Sequence, residues 1–386
     1  MFLDTTMNNN RKLVNTAIHL HQQGTIPPNT YVIDLDMVRQ NTAYLCREAK
    51  KQDIELFFMT KQFGRNELIS KAIMESGITK AVAVDPWEAV QLYQYGVDIG
   101  HVGHLVQIPK RMIHKILEIE PDYITVFSYE NALNISKGAV QLNKQQKILL
   151  RIANINDYMF DGQIGGFTLE SLIQDIDKIR ELKGIEVGGV TSFPCVLIKD
   201  GTPIVTSNVL TMEKARNILL SRGIENVEMN MPSASSTATL GLLKKYGATQ
   251  AEPGHAITGT TPLHEKGGLS EKPAMVYVTE VSHLYNHKSY VFGGGFYSRS
   301  HMKQALVASQ NGKIKKVPIM EADPTNIDYY GALNTNKVNV GDSVIYAFRT
   351  QIFKTNSLVA IVQNLDSNPE LLGLYDSTGN SISYSL

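Results

Sequence analysis

Lys61 is the residue whose surroundings most clearly invite chemistry. The run Phe57-Phe58-Met59-Thr60 is apolar enough for a buried strand, stops at Lys61 and gives way to Gln62-Phe63-Gly64-Arg65-Asn66. Leu68, Ile69, Ala72 and Ile73 then recur at helical spacing. A lysine at the carboxyl end of a buried strand is half-surrounded by apolar groups. Desolvation lowers the pKa of such an amine, so it can act as a nucleophile and form a Schiff base. The competing reading is a lysine that only caps the strand and reaches solvent.

Two later turns bear on that choice. Asn230-Met231-Pro232-Ser233-Ala234-Ser235-Ser236-Thr237 lies between a strand and a helix beginning near Ser236. Ser233, Ser235 and Ser236 offer hydroxyls and helix-start N–H groups to an anion, although the same serines would serve equally as N-caps. In Ala251-Glu252-Pro253-Gly254-His255, Glu252 sits at a strand end, Gly254 allows close backbone approach and His255 is placed to touch a phosphate. A lysine early in the fold and a phosphate cradle late in it point to pyridoxal 5′-phosphate, a cofactor whose pyridine nitrogen a carboxylate can pair with. Arg151 can hold a phosphate or a substrate carboxylate; Arg65 reads more readily as a surface residue.

The elements that must position these residues follow a rhythm. Strands are expected at 31–35, 57–60, 81–84, 102–106, 123–127, 147–153, 185–190, 227–229 and 250–252, separated by helices. About eight strand–helix alternations in roughly 240 residues predict a closed (β/α)8 TIM-type barrel. An open doubly wound sheet shows the same alternation. After Pro262 helical spacing nearly vanishes, and β-branched and aromatic segments punctuated by Gly and Asn predict an antiparallel β domain. The expected division is an N-terminal helix and linker over 1–29, a barrel over 30–264 and a β domain over 265–386.

Composition narrows the function classes. The 386 residues carry 37 basic and 37 acidic side chains without a long run of either sign, which argues against nucleic acid or a membrane surface as partner. Cys46 and Cys195 lack metal-ligand spacing and fit a reducing compartment. Asp4 interrupts the apolar start, so a secretory signal is not expected, and a cytoplasmic location is.

Over nearly its whole length the chain resembles the fold type III pyridoxal-phosphate enzymes, which include alanine racemase-like proteins and the ornithine and diaminopimelate decarboxylase group. Within them it looks most like the YhfX-like branch of predicted amino-acid racemases. The resemblance makes Lys61 the Schiff-base lysine and matches Glu252-Pro253-Gly254 to the decarboxylase-type turn, where the Glu meets the ring nitrogen and the Gly the phosphate. Leu150-Arg151-Ile152-Ala153, Gly165-Gly166-Phe167 and the strand Tyr290 to Tyr297 are similar to further segments of the group. It also implies a homodimer with shared active sites, in which a β-domain tyrosine of the other subunit faces the lysine. Tyr297, Tyr329 and Tyr330 are the candidates, and Tyr330 is the choice.

Departures from the family pattern shape the expected reaction. Pro194 stands where the decarboxylases place a ring-stacking histidine, and Asn326 where they place a proton-donating cysteine. The zinc-ligating histidine and cysteine of the D-serine dehydratase and D-threonine aldolase relatives have no counterparts near Tyr329-Tyr330 or Phe348-Arg349-Thr350-Gln351, so no metal is expected. Alanine racemases carry an arginine at the position of Glu252, which makes alanine itself a doubtful substrate. The expected activity is racemisation or epimerisation of an amino acid, with Lys61 and Tyr330 working on opposite faces of Cα. A decarboxylase or lyase is one alternative. A protein that only buffers or delivers pyridoxal phosphate is another, against which the long β domain speaks.

Overall fold

The apolar strand runs close on themselves into a parallel barrel, and a second set of strands builds a separate sheet. The computed structural model describes residues 1–294, 300, 302–321, 327–352 and 356–383. In chain order β1 (Thr30–Asp34) is followed by β2 (Glu55–Met59), β3 (Lys80–Ala83), β4 (Asp98–Val102), β5 (Tyr123–Val126), β6 (Gln146–Arg151) and β7 (Ile185–Thr191). A hairpin of β8 (Val196–Lys199) and β9 (Thr202–Val205) precedes β10 (Glu228–Asn230) and β11 (Gln250–Ala251). Eight of these close the barrel in the order β10-β11-β2-β3-β4-β5-β6-β7, with β10 returning to β7.

Side-chain volume fills the barrel rather than leaving a pore. Phe57, Met59, Val82, Tyr123 and Leu149 form one buried cluster. Phe57 fits because β4 has glycine opposite it: a Cβ on Gly100 would lie 2.3 Å from the Phe57 ring. The surrounding helices start where the sequence supplies caps. Asp85 accepts from the Glu88 N–H ahead of Pro86–Gln94, and Thr168 accepts from Ser171 ahead of Leu169–Arg180. The latter helix turns Leu172, Ile176 and Ile179 inward at helical spacing.

By contacts the chain forms two units, residues 43–60 with 73–254, and residues 1–42 with 61–72 and 255–386. The barrel belongs to the former. The latter contains a sheet of β15-β14-β17-β12-β1-β18-β19, with β13 on β12 and β16 on β13. Its members are β12 (Met275–Tyr285), β13 (Lys288–Phe292), β14 (Gln304–Ala308), β15 (Ile314–Pro318), β16 (Tyr330–Leu333), β17 (Ser343–Tyr346), β18 (Leu358–Gln363) and β19 (Glu370–Asp376).

The expected boundaries at 29/30 and 264/265 do not coincide with these units. Strand β1 is buried at all five positions and is a central strand of the sheet, antiparallel to β12 and parallel to β18. It imitates a barrel strand in sequence because the helix Leu35–Gln52 follows it. The N-terminal segment holds the expected helix near 11–24, at Arg11–Gln22, and a further helix before it. The helices Phe2–Asn9 and Arg11–Gln22 place Phe2, Leu3, Leu13, Val14, Ala17 and Ile18 in one core with Val32, Val276 and Val278. Asn10 caps the second helix and also bonds Asp34 at 2.9 Å, tying that layer to β1.

Gly100→Ala should destabilise the protein by about 1–3 kcal/mol through overpacking against Phe57. Phe57→Leu in the same chain should recover part of that loss. Urea denaturation of the single and double variants checks both; equal stability of Gly100→Ala and wild type would contradict the packing.

Candidate active site

The polar side chains of the barrel unit gather at the carboxyl ends of its strands, the end at which barrels of this type do chemistry. His101 is the penultimate residue of β4, Thr125 lies in β5, Arg151 ends β6, Asn230 ends β10 and Glu252 directly follows β11. All five are buried.

Glu252 is the centre of this group. Its Oε1 accepts from Nδ1 of His101 at 2.6 Å and from Nδ2 of Asn230 at 3.0 Å. Its backbone N–H donates to Oγ of Ser235 at 3.2 Å. His104 Nδ1 lies 3.5 Å from Oε2, and the two imidazoles stack with centroids 5.3 Å apart. Burial by itself would push the carboxyl pKa up. The charges of His104 and His101 and the hydrogen bonds of His101 and Asn230 outweigh it and hold the group at about 2. Glu252 is therefore ionised, and Oε2 has no hydrogen bond of its own among the described residues.

Arg151 and Cys195 flank the carboxylate's surroundings. The Arg151 guanidinium donates to the main-chain oxygens of His104 and Gln163 and lies over the Phe127 ring at 4.8 Å. Its Nε has no partner among the described residues, and burial lowers its pKa to about 10, so it stays charged. Cys195 is fully buried; burial, then the Glu252 charge, pushes its thiol pKa up. A protonated thiol bonded to Ser192 O at 3.2 Å is a packing group rather than a nucleophile.

The serine-rich turn divides its labour. Ser236 caps the helix Thr237–Lys245 in a reciprocal box with Thr239. The Ser233 hydroxyl donates to Val196 O at 2.6 Å, and Ser235 supports Glu252. These hydroxyls are thus engaged inside the protein, and the capping alternative holds for Ser236. The backbone differs: Ser233 (φ 98°) and Ala234 (φ 53°) are successive residues with positive φ. Positive φ at consecutive non-glycine residues is costly. The pair Asn286-His287 adopts it in the hairpin turn between β12 and β13, whereas Ser233-Ala234 does so beside a helix start, where successive N–H groups can form an anion-binding concavity.

Lys61 belongs to the other unit. It follows the barrel strand β2 in sequence after Thr60, and its carbonyl accepts from Ile352 N–H at 3.1 Å. His255 is close enough that the charges of Arg349 and Lys61 add to burial in driving its pKa well below the usual imidazole value. It is thus neutral, and its buried Nε2 has no partner among the described residues. Gln62 Nε2 meets its Nδ1 at 3.4 Å. Tyr330 begins β16 with 48% of its surface exposed, edge-on to His283 at 5.0 Å. Tyr297 and Asn326 fall outside the described residues. Gly254 is buried beside Glu252.

The comparisons with known proteins match this architecture. A family model described as alanine racemase, N-terminal domain, covers residues 33–262, and one described as YhfX-like, C-terminal domain, covers 276–371. The chain belongs to the alanine racemase-like fold type III family, with a YhfX-like C-terminal domain. A protein of Escherichia coli (strain K12) described as uncharacterized protein YhfX is 39% identical over 99% of this chain and 100% of its own length. Alanine racemase of Clostridium difficile 630 is similar in fold at a TM-score of 0.66 with 14% identity, covering 91% of this chain and 99% of that one. D-threonine aldolase of Filomicrobium marinum is similar at a TM-score of 0.69 with 12% identity, covering 92% and 95%.

The cofactor of the family is pyridoxal 5′-phosphate, and the residues present fit it. Glu252 Oε2 is a buried, ionised acceptor with no hydrogen bond among the described residues and His104 Nδ1 3.5 Å away, which complements a protonated ring nitrogen. The charged, partly unpaired Arg151 and the positive-φ pair Ser233-Ala234 suit an anionic group. His101, His104 and Glu252 also present ligand atoms within 4.8 Å of one another. His101 Nδ1 is already hydrogen-bonded to Oε1, so a cation there would have to break that bond.

His101, His104, Thr125 and Asn230 were not singled out from sequence. The predicted strand at 102–106 is displaced from the observed Asp98–Val102, because Asp98, Gly100 and His101 make the true strand look polar. The available signal was two histidines three residues apart beside a strand end, pointing the same way as a carboxylate elsewhere.

The depressed pKa of Glu252 has a sign. Its stabilisation is fully present above the unfolded value of 4.5 and is lost as pH falls toward about 2. The stability of wild-type apoprotein relative to Glu252→Gln should therefore shrink over that interval, by on the order of a few kcal/mol. Urea denaturation at stepped pH measures it; a difference that does not change with pH would contradict the assignment.

Proposed function

We propose that the protein is a pyridoxal-phosphate-dependent amino-acid racemase or epimerase. The buried, ionised Glu252 with one oxygen lacking a hydrogen bond supports the cofactor chemistry of this reading, and the match to the alanine racemase N-terminal domain together with the exposed Tyr330 supports inversion as its outcome. Bound cofactor supplies an electron sink for charge developing at the substrate Cα, and a carboxylate at the ring nitrogen strengthens that sink by keeping the nitrogen protonated. Lys61 is the lysine to which the cofactor attaches. Its Nζ then takes the Cα proton on one face, and the phenol Oη of Tyr330 delivers one on the other. Arg151, Gly254, His255 and the turn Ser233 to Ser236 hold the cofactor's anionic groups. His255, being neutral, does so as a hydrogen-bond donor through Nε2. No metal takes part.

The exposure of Tyr330 supports a homodimer in which this tyrosine serves the other subunit's site. Both cysteines are free, which suits the cytoplasm. Among the described residues no helix is long and apolar enough to cross a membrane.

Borohydride reduction of the holoenzyme followed by peptide mapping should place the label on Lys61; a label on another lysine would remove it from this role. A panel of L- and D-amino acids in deuterated water should yield Cα-deuterated product of inverted configuration. Carbon dioxide or a carbonyl product without inversion would replace racemisation by decarboxylation or lyase chemistry. Tyr330→Phe should lower inversion by about 100-fold or more while leaving exchange by Lys61 on one enantiomer; unchanged inversion would exclude Tyr330.

A further inference from the structure

The hydrogen bonds around Glu252 are unevenly distributed. Oε1 carries two donors, His101 Nδ1 at 2.6 Å and Asn230 Nδ2 at 3.0 Å, while Oε2 carries no hydrogen bond among the described residues and faces His104 Nδ1 only at 3.5 Å. Both donors are held from behind. Asn230 Oδ1 accepts from the Thr191 hydroxyl at 2.8 Å, which fixes the orientation of the amide. His101 Nε2 meets the Thr125 hydroxyl at 2.6 Å, and the Gln107 side chain ties Thr125 O to Gly103 O across the loop after β4. An ionised carboxylate only accepts, so the proton in the 2.6 Å His101–Glu252 contact sits on Nδ1 of His101. Thr125 can donate to or accept from Nε2, so that tautomer holds whether the imidazole is neutral or charged.

We propose that His101 is a positioning residue for the cofactor ring: through Nδ1–H it pins Oε1 of Glu252, keeps the carboxylate ionised and reserves Oε2 for the ring nitrogen. The inference rests on the reading of Glu252 as the partner of that nitrogen. Glu252 is wholly buried, and burial favours the neutral acid unless donors oppose it. Remove the donor at Oε1 and the proton shared with the ring moves toward Oε2. The ring nitrogen then loses its charge, and the sink for Cα charge weakens, although Glu252 is still present.

Two amide substitutions separate this role from simple packing. In His101→Asn the amide nitrogen stands near the place of Nδ1 and can still donate to Oε1. In His101→Gln it stands near the place of Nε2 and reaches toward Thr125 instead. Holoenzyme of each is prepared with pyridoxal phosphate labelled with 15N in the ring, and the 15N chemical shift reads the protonation of that nitrogen directly. Wild type and His101→Asn should show the protonated ring. His101→Gln should shift the protonated-to-unprotonated ratio by about ten- to hundredfold, the worth of one hydrogen bond to a charged group, with kcat falling more than KM rises. Equal 15N shifts in the two variants, or loss of cofactor from both, would overturn the proposal. Glu252→Gln distinguishes the two levels. A ring still protonated in Glu252→Gln removes Glu252 as the ring partner. An unprotonated ring there, with equal shifts in the two His101 variants, removes His101 alone.

Discussion

A carboxylate buried in a barrel is stable as an anion only if donors replace the water it has lost. Glu252 satisfies that condition through His101, Asn230 and a nearby second imidazole, and it does so on one oxygen. Much of the barrel's carboxyl end follows from this requirement. Thr125 exists there to hold His101, Thr191 to orient Asn230 and Ser235 to fix the main chain of Glu252. Within the barrel unit the protonated Cys195 shows burial acting on a group that lacks such donors.

If Glu252 meets the ring nitrogen as proposed, the chain differs chemically from an alanine racemase, to which its fold is similar. An arginine at a ring nitrogen would leave the ring uncharged, whereas a carboxylate there would favour the protonated ring and deepen the electron sink. A deeper sink suits substrates and reactions that need more stabilised charge at Cα. It does not by itself choose among inversion, decarboxylation and bond cleavage, since all of them begin with that charge. The choice belongs to the acid or base that stands opposite the lysine.

The closed barrel, the β-rich C-terminal third and the family were legible because apolar strands, helix caps and the Lys61 and Glu252 turns are local patterns. The unit boundaries were not. Thr30–Asp34 reads as one more strand before a helix, and its membership in the sheet depends on partners some 250 and 330 residues away in sequence. The serine turn was legible as an anion-binding or capping element, and Ser236 caps. His101 was invisible for a physical reason: a buried polar residue inside a strand looks like a loop until its partner is known, and its partner lies 151 positions onward.

The most direct measurement is a crystal structure of the holoenzyme, with anomalous scattering collected to detect metals. The ring nitrogen is predicted to lie at about 2.7–2.9 Å from Oε2 of Glu252, with His101 Nδ1 still bonded to Oε1. A ring nitrogen facing a different group, or a metal ion bound by His101, His104 and Glu252, would contradict it.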